Sequence, residues 1–309
     1  MLKFRNSNFK GEAQSIWGTL TSMNFKKIKG GRKPVEQAVF SGHQSLNDIN
    51  VYYEFYPNHA AKKTFVLLHG FLSSTFTYRH LIPLLKKEYQ VLSVDLPPFG
   101  KSGKCNRYVY SYKNLADTVI KLTEYLGLKK MTFIGHSMGG QIVLNILHLM
   151  PELADKAILL CSSAYLKRSN LPLILSSYIP YFHLFVKYWF ARTGVKKNLQ
   201  DSLYNHSLIT DEMINGYLQP FLQDEIFVAL TRMIRHREGD LPVAILNKIK
   251  TPCLLIWGDH DNSMPLHVGE KLHKDLTNSE LIVLKETGHA VPEERPIEIY
   301  QYIKEFLEK

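Results

Sequence analysis

Six short apolar runs recur along the chain, and they limit its possible folds more than any other feature. None alternates strictly between apolar and polar residues, which is typical of strands covered on both faces of a parallel sheet. Patterns with helical spacing lie between several runs, as in residues 115–126. Strands that alternate with helices predict an α/β fold with a mostly parallel, doubly wound sheet. The runs are FVLL (65–68), VLSV (91–94), MTFI (131–134), AILL (157–160), CLLIW (253–257) and LIVL (281–284).

Three parts of the chain follow from this pattern. Residues 37–164 and 247–309 contain all the strand-like runs and are predicted to form the core. Two alternating stretches within residues 37–56 are expected to add an antiparallel edge to the sheet. Residues 165–246 contain only helix-like patterns, so we expect a helical cap inserted over the sheet. Residues 1–36 precede the core as an N-terminal extension with one predicted helix.

Charge and hydropathy narrow the choice of partners. The net charge of +10 makes nucleic acid or an anionic membrane conceivable partners. The basic residues are spread along the chain, however, and no predicted helix carries a dense basic stripe with exposed aromatic residues, so we expect no nucleic-acid partner. The most apolar stretch, residues 171–191, is interrupted by Pro180, His183 and Lys187. We therefore expect an amphipathic helix there and no stable membrane insertion.

Cysteine usage and the N-terminus bear on location. Cys105, Cys161 and Cys253 form no paired framework, and the last two lie in or beside apolar runs, so we expect reduced packing residues. No apolar stretch follows the basic residues at the N-terminus, so no signal peptide is expected and the predicted location is the cytoplasm. The sequence leaves the oligomeric state open.

The stretch FIGHSMGGQIVLN (133–145) places Ser137 between two glycines, directly after an apolar run and before a helical pattern. In a G-x-S-x-G turn between a strand and a helix, the backbone is too tight for flanking side chains and the serine hydroxyl points outward. The alternative is a glycine-rich turn kept for close packing, which holds only if no base is available. Ser137 is therefore the predicted nucleophile.

A serine nucleophile needs a histidine as base and a carboxylate to orient that histidine. His289 follows the run LIVL, in a loop at the predicted carboxyl edge of the sheet, and is the best placed of the 13 histidines. Asp259 and Asp261 follow the run CLLIW, and either could supply the carboxylate. With His260 they could instead be metal ligands, but no spaced Cys/His set accompanies them, so we expect no metal.

Acyl chemistry also needs N–H donors for the oxyanion. Met138 directly follows the nucleophile and is the first candidate donor. Phe71, after the strand-ending His69 and Gly70, is the second. These two backbone N–H groups are the predicted substrate contacts.

Taken together, these motifs resemble those of the α/β-hydrolase superfamily, especially its bacterial esterase and lipase-like members. The resemblance implies that Asp261, rather than Asp259, is the acid. Pro98 departs from the glycine of many relatives, which affects a loop and not the triad. The resemblance covers roughly residues 37–309, and its motifs are, in order, HGF (69–71), DLPPFGKS (95–102), GHSMG (135–139), WGDHD (257–261) and GHAVPEERP (288–296).

The resulting prediction is a serine carboxylesterase that acts on small-molecule esters with short to medium acyl chains and needs no cofactor. Ser137 argues against haloalkane dehalogenases and epoxide hydrolases, which resemble the chain but use an aspartate at this turn. Carbon–carbon bond hydrolases, perhydrolases and acyltransferases share the triad and stay open, as does a non-catalytic ligand-binding receptor or scaffold on the same fold. We expect most of the apolar residues in 171–191 to pack within the cap and some of them to line an apolar acyl pocket at Ser137.

Overall fold

A computed structural model describes residues 39–309, so the helix predicted within residues 1–36 lies outside the described residues. Eight strands form one sheet, and they are β1 (Phe40–Leu46), β2 (Ile49–Tyr56), β3 (Thr64–Leu68), β4 (Gln90–Val94), β5 (Met131–His136), β6 (Ala154–Leu160), β7 (Cys253–Gly258) and β8 (Ser279–Leu284). Their order across the sheet is β1-β2-β4-β3-β5-β6-β7-β8. β2 runs antiparallel to both β1 and β4, whereas the other neighbouring pairs are parallel.

Twelve α-helices accompany these strands within the described residues. They are α1 (Ile82–Leu85), α2 (Tyr112–Tyr125), α3 (Met138–Leu149), α4 (Leu171–Ser176), α5 (Phe182–Thr193), α6 (Val195–Ser202), α7 (Asp211–Leu218), α8 (Glu225–His236), α9 (Val243–Leu246), α10 (Leu266–Asp275), α11 (Val291–Glu294) and α12 (Pro296–Glu308). Short 3-10 helices lie at Thr75–Tyr78, Pro151–Leu153, His206–Leu208 and Gln219–Leu222.

The predicted α/β fold with a mostly parallel sheet is confirmed. The six apolar runs are β3 to β8, and in β5 and β7 every residue is buried, because these central strands are covered on both faces. The antiparallel edge expected within residues 37–56 is formed by β1 and β2. β1 is an edge strand whose side chains are exposed or half-buried, so no apolar run marks it.

The residues of the predicted cap form helices α4 to α9 and contain no strand. α8 buries Ile226, Phe227, Leu230 and Met233, and α5 packs against it. Residues 171–191 do not form the single helix that was predicted. They form α4 and part of α5, separated by a turn that ends at Tyr181, whose backbone is left-handed. Within residues 39–309, no helix combines the length and the apolar character needed to cross a bilayer.

Candidate active site

Ser137 lies in the turn between β5 and α3, with φ 51° and ψ −117°. This conformation is rarely adopted by residues other than glycine and stores strain. The flanking glycines are required by close backbone approaches. A Cβ on Gly139 would lie 2.0 Å from the carbonyl oxygen of Leu68, and a Cβ on Gly135 would lie 2.5 Å from the carbonyl oxygen of Gly139. The G-x-S-x-G motif thus forms the tight strand–turn–helix geometry that presents a serine hydroxyl.

Asp261 and His289 lie in the loops after β7 and β8, and the structure brings them together. The distance from His289 Nδ1 to Asp261 Oδ2 is 2.7 Å, and the Asp261 side chain is fully buried. The backbone N–H groups of Ser263 and Met264 donate to Asp261 Oδ1 at 2.8 and 2.7 Å. The carboxylate is therefore fixed, and a hydrogen bond from Nδ1–H leaves His289 Nε2 free to act as a base.

Asp259, the other candidate acid, makes no hydrogen bond or salt bridge with His289 within the described residues. Its Oδ1 lies 2.7 Å from Nδ1 of His260, whose side chain is half exposed. The side chains of Asp259, His260 and Asp261 do not converge on a common point, so the geometry gives no support to a metal site on these three residues.

A second cluster of potential ligands includes two members of the candidate triad. The ligand atoms of Cys161, Asp261 and His289 all lie within 4.8 Å of one another. Burial raises the pKa of the Cys161 thiol well above its usual value. Within the cluster, His289 Nδ1 and Asp261 Oδ2 already contact each other at 2.7 Å, which fits a role of Asp261 in orienting His289.

Ser137 and His289 line the same cavity, which we call the His289 cavity. No hydrogen bond joins the Ser137 hydroxyl to His289 within the described residues. Such nucleophile–base contacts often tighten only when substrate binds. Sequence analysis assigned no role to His136, which packs against His289 with 4.9 Å between ring centroids and donates from Nε2 to the His289 carbonyl oxygen at 2.9 Å. Burial lowers the pKa of His136 to about 3, so its ring is a neutral support.

The loop after β3 brings Phe71, one of the two candidate oxyanion donors, to Ser137, and the other, Met138, is the first residue of α3. A Cβ on Gly70 would lie 3.2 Å from the Ser137 Cβ, so Phe71 follows at the point where the loop passes the nucleophile. Neither the Phe71 nor the Met138 backbone N–H makes a hydrogen bond within residues 39–309. Both donors are therefore available for a substrate oxygen.

His69 holds this loop in place, a role that sequence analysis did not assign. Its Nε2 accepts a hydrogen bond from the backbone N–H of Leu96 at 2.9 Å, and its Nδ1–H donates to the Gly70 carbonyl oxygen at 2.8 Å. Burial lowers the pKa of His69 to about 4, which keeps the ring neutral and able to accept. The sequence signal for this role is the position of His69 and Gly70 directly after the strand-like run at 65–68.

Two cavities meet at Ser137 and Phe71. The His289 cavity has a volume of about 330 Å³ and is partly polar, with Asn198, Asp201, Ser202, Tyr217 and Ser263 in its wall. The second, which we call the α8 cavity, has a volume of about 340 Å³, and its wall includes Met138, Leu166, Leu230, Met233, Ile234, Arg237 and Met264. The two cavities offer separate spaces for the two sides of a bond cleaved at Ser137.

Residues 171–191 line neither of these cavities. The prediction that this stretch lines the acyl pocket was wrong. The reason is the position of α8, which supplies Leu230, Met233 and Ile234 to the cavity while α5 packs against it.

Known proteins share this sequence pattern and architecture. The model of a family described as alpha/beta hydrolase fold matches residues 63–296. The chain is 50% identical over 263 residues to the uncharacterized hydrolase YugF of Bacillus subtilis (strain 168), which covers 85% of this chain and 96% of that protein. It is 26% identical over 266 residues to epoxide hydrolase 4 of Homo sapiens, covering 80% of this chain and 73% of that protein. Among solved structures, 2-hydroxy-6-oxo-6-phenylhexa-2,4-dienoate hydrolase from Rhodococcus sp. strain RHA1 superposes with a TM-score of 0.74 at 20% identity, covering 88% and 99% of the two chains.

Proposed function

The chain belongs to the alpha/beta hydrolase fold family, and on that premise we propose that it is a serine carboxylesterase acting on small-molecule esters with short to medium acyl chains. The observation that carries the proposal is the 2.7 Å contact between His289 and Asp261 at the same sheet edge as the strained Ser137. The nucleophile, base and acid follow one another along the chain in the order of α/β-hydrolases.

The proposed reaction has two halves. Ser137 Oγ attacks the ester carbonyl while His289 Nε2 takes the hydroxyl proton, and the Phe71 and Met138 N–H groups hold the oxyanion. The intermediate collapses, the C–O bond breaks, and the alcohol leaves with the proton from His289. Water then attacks the acyl-enzyme with His289 again as base, which releases the acid and restores Ser137.

The α8 cavity is the proposed acyl pocket. Half of the residues in its wall carry aliphatic or thioether side chains, and each methylene buried against them contributes about 0.8 kcal/mol. Its volume of about 340 Å³ limits the chain length that gains from burial. We therefore expect kcat/KM to rise from acetate to a medium-chain optimum and then to fall.

A carbon–carbon bond hydrolase is the second candidate, favoured by Arg237. Among residues 39–309, Arg237 is the one charged residue in the wall of the α8 cavity, where it could pair with a substrate carboxylate. The Rhodococcus enzyme is named for a dienoate, which is such a substrate. Epoxide hydrolysis fits the site less well, because an epoxide opened by Ser137 would leave a serine ether, which water does not readily cleave.

One substrate panel separates these functions. p-Nitrophenyl esters of increasing chain length, a vinylogous diketone acid and an epoxide are assayed with the wild type and with Ser137→Ala. We expect ester turnover to fall by about three orders of magnitude or more in Ser137→Ala, because only binding and the oxyanion donors remain. Ser162→Ala, which removes a neighbouring buried hydroxyl, is the control and should keep most of its activity.

Covalent labelling gives an independent readout. A fluorophosphonate should add mass to the peptide that contains Ser137 and to no other. A faster reaction with the diketone acid than with any ester would replace the esterase by the carbon–carbon hydrolase. Stoichiometric labelling without turnover of any substrate would leave a binding protein on a hydrolase fold.

A further inference from the structure

Helices α4 and α5 and the turn between them present an apolar surface to solvent. Ten of the 21 large apolar side chains that are exposed within residues 39–309 lie between Leu171 and Trp189. We call these ten residues the cap face. Examples are Ile179, Phe185 and Trp189, which are 59%, 60% and 56% exposed. Such clustering differs from the scattered apolar residues of an ordinary surface and marks an interaction site.

The stretch of sequence that contains the cap face is basic. Residues 161–200 contain six Lys or Arg residues and no Asp or Glu. Lys187 pairs with Asp224 at 2.7 Å and Lys197 pairs with Asp201 at 3.1 Å, and all four side chains are exposed. The other four cations make no salt bridge within the described residues, and they are Lys167, Arg168, Arg192 and Lys196. The cap face is therefore an apolar surface bordered by uncompensated positive charge.

We propose that the cap face docks onto the surface of a lipid bilayer that contains anionic phospholipids. Exposed Leu and Phe side chains are stabilised when they enter the boundary between headgroups and acyl chains, because their apolar surface leaves water. Trp and Tyr side chains favour the same depth, and three tyrosines accompany Trp189 on the cap face. Basic residues beside the cap face are attracted to anionic headgroups. The binding is peripheral and needs no membrane-spanning helix.

Two other potential partners of the cap face carry positive charge, as the cap face does. A second copy of the chain docked across a two-fold axis would bring the four cations left unpaired within residues 39–309 of each copy near those of the other. Residues 1–36 contain eight Lys or Arg residues and two Glu, so this segment would also meet the cap face with like charge. An anionic bilayer is the occupant that is both apolar and of opposite sign.

The cap face adjoins the proposed acyl pocket. Leu166 and Ser169, which line the α8 cavity, lie just before α4 in the chain, and α5 packs against α8. Docking would thus bring the α8 cavity close to lipid. The proposal goes beyond the proposed esterase function, because bilayer binding requires no hydrolysis.

The test is cosedimentation of the full-length chain with vesicles of phosphatidylcholine alone and of phosphatidylcholine mixed with phosphatidylglycerol. We expect binding to the mixed vesicles that is stronger than binding to phosphatidylcholine and that falls at high salt. Phe185→Glu should weaken binding to the mixed vesicles about tenfold or more. The substitution removes an aromatic ring that would enter the bilayer and adds a negative charge. Ile297→Glu is the matched control, since Ile297 is 63% exposed outside the cap.

Further readouts keep this test independent of catalysis. Phe185→Glu and Ile297→Glu should hydrolyse a soluble ester at the wild-type rate. Ser137→Ala should bind vesicles as strongly as the wild type does. Fluorescence that shifts to shorter wavelength on mixed vesicles, and does so less in Trp189→Phe, would place the cap face in the lipid. Equal vesicle binding by Phe185→Glu and the wild type would overturn the proposal. A dimer that Phe185→Glu dissociates, without vesicle binding, would assign the cap face to a second copy.

Discussion

Trp257 and Trp189 lie in sequence stretches of similar apolar character but in opposite surroundings. Trp257, in β7, is fully buried, and its indole Nε1–H donates to the Met264 carbonyl oxygen at 2.7 Å. Trp189, in α5, is 56% exposed. A strand in the middle of a sheet is covered on both faces, whereas a helix on the outside has only one face to bury. An apolar run therefore predicts burial only after its place in the fold is known.

The two regions also differ in what they contribute to the proposed function. At the carboxyl ends of β5, β7 and β8, which we call the sheet edge, buried backbone hydrogen bonds and close packing hold Ser137, Asp261 and His289 in place. The cap contributes cavity walls on one side and an exposed apolar surface on the other. We therefore expect substitutions around Ser137, Asp261 and His289 to remove most of the activity. Substitutions in the cap should instead change the substrate selectivity or the attachment to a bilayer.

The sharpest test of this difference compares two carboxylates in one turn. Asp261→Asn should lower kcat by about four orders of magnitude, because the amide no longer fixes the tautomer of His289 that serves as base. Asp259→Asn changes a side chain that pairs with His260 at the surface and should lower kcat less than about threefold. Steady-state kinetics of both variants on one p-nitrophenyl ester gives the answer. Equal losses would mean that the 2.7 Å contact does not identify the acid.

The two tryptophans test the comparison by stability. Trp257→Ala should lower the free energy of unfolding by about 3–5 kcal/mol, because it leaves a cavity in the core. Trp189→Ala should change it by less than about 0.5 kcal/mol, because the ring contacts mostly solvent. Urea unfolding followed by circular dichroism measures both values. A large loss in Trp189→Ala would show that the cap face is covered in solution.

The smallest expected effect concerns selectivity within the cap. Met233→Ala enlarges the α8 cavity and should raise the kcat/KM ratio of longer to shorter acyl esters by about tenfold. Met213→Ala is the matched control, since Met213 is equally buried in the cap but lines neither cavity. A change of the ratio in both variants would indicate a general loosening of the cap. No change in either would move the acyl chain to the His289 cavity.

Much of the sheet edge could be predicted because its signals are local. The central strands are continuous apolar runs, and the strand–turn–helix motif around Ser137 is contained in one short stretch of sequence. The choice between Asp259 and Asp261 was not local, since both follow β7 in one turn and only the direction of each side chain separates them. The resemblance to α/β-hydrolases favoured Asp261, whose Oδ2 lies 2.7 Å from His289 Nδ1.

The cap was less predictable because its helices compete for the same inner position. α8 and residues 171–191 are both apolar enough to face the site, and only packing decides that α8 takes that place. The roles of His69 and His136 were also hidden, because each depends on a contact with a residue distant in the chain, Leu96 and His289 respectively. The edge strand β1 gave little signal because solvent, rather than a neighbouring layer, surrounds much of it.

The backbone of Ser137 sets stability against activity at a single position. Its φ of 51° belongs to a region where a non-glycine residue costs about 1–3 kcal/mol. Glycine at this position would relieve that strain and remove the proposed nucleophile at the same time. Selection for stability alone would therefore favour losing the serine, and an engineering campaign scored only by thermal tolerance would tend to discard it. Any screen for more robust variants of this enzyme must score turnover together with melting temperature.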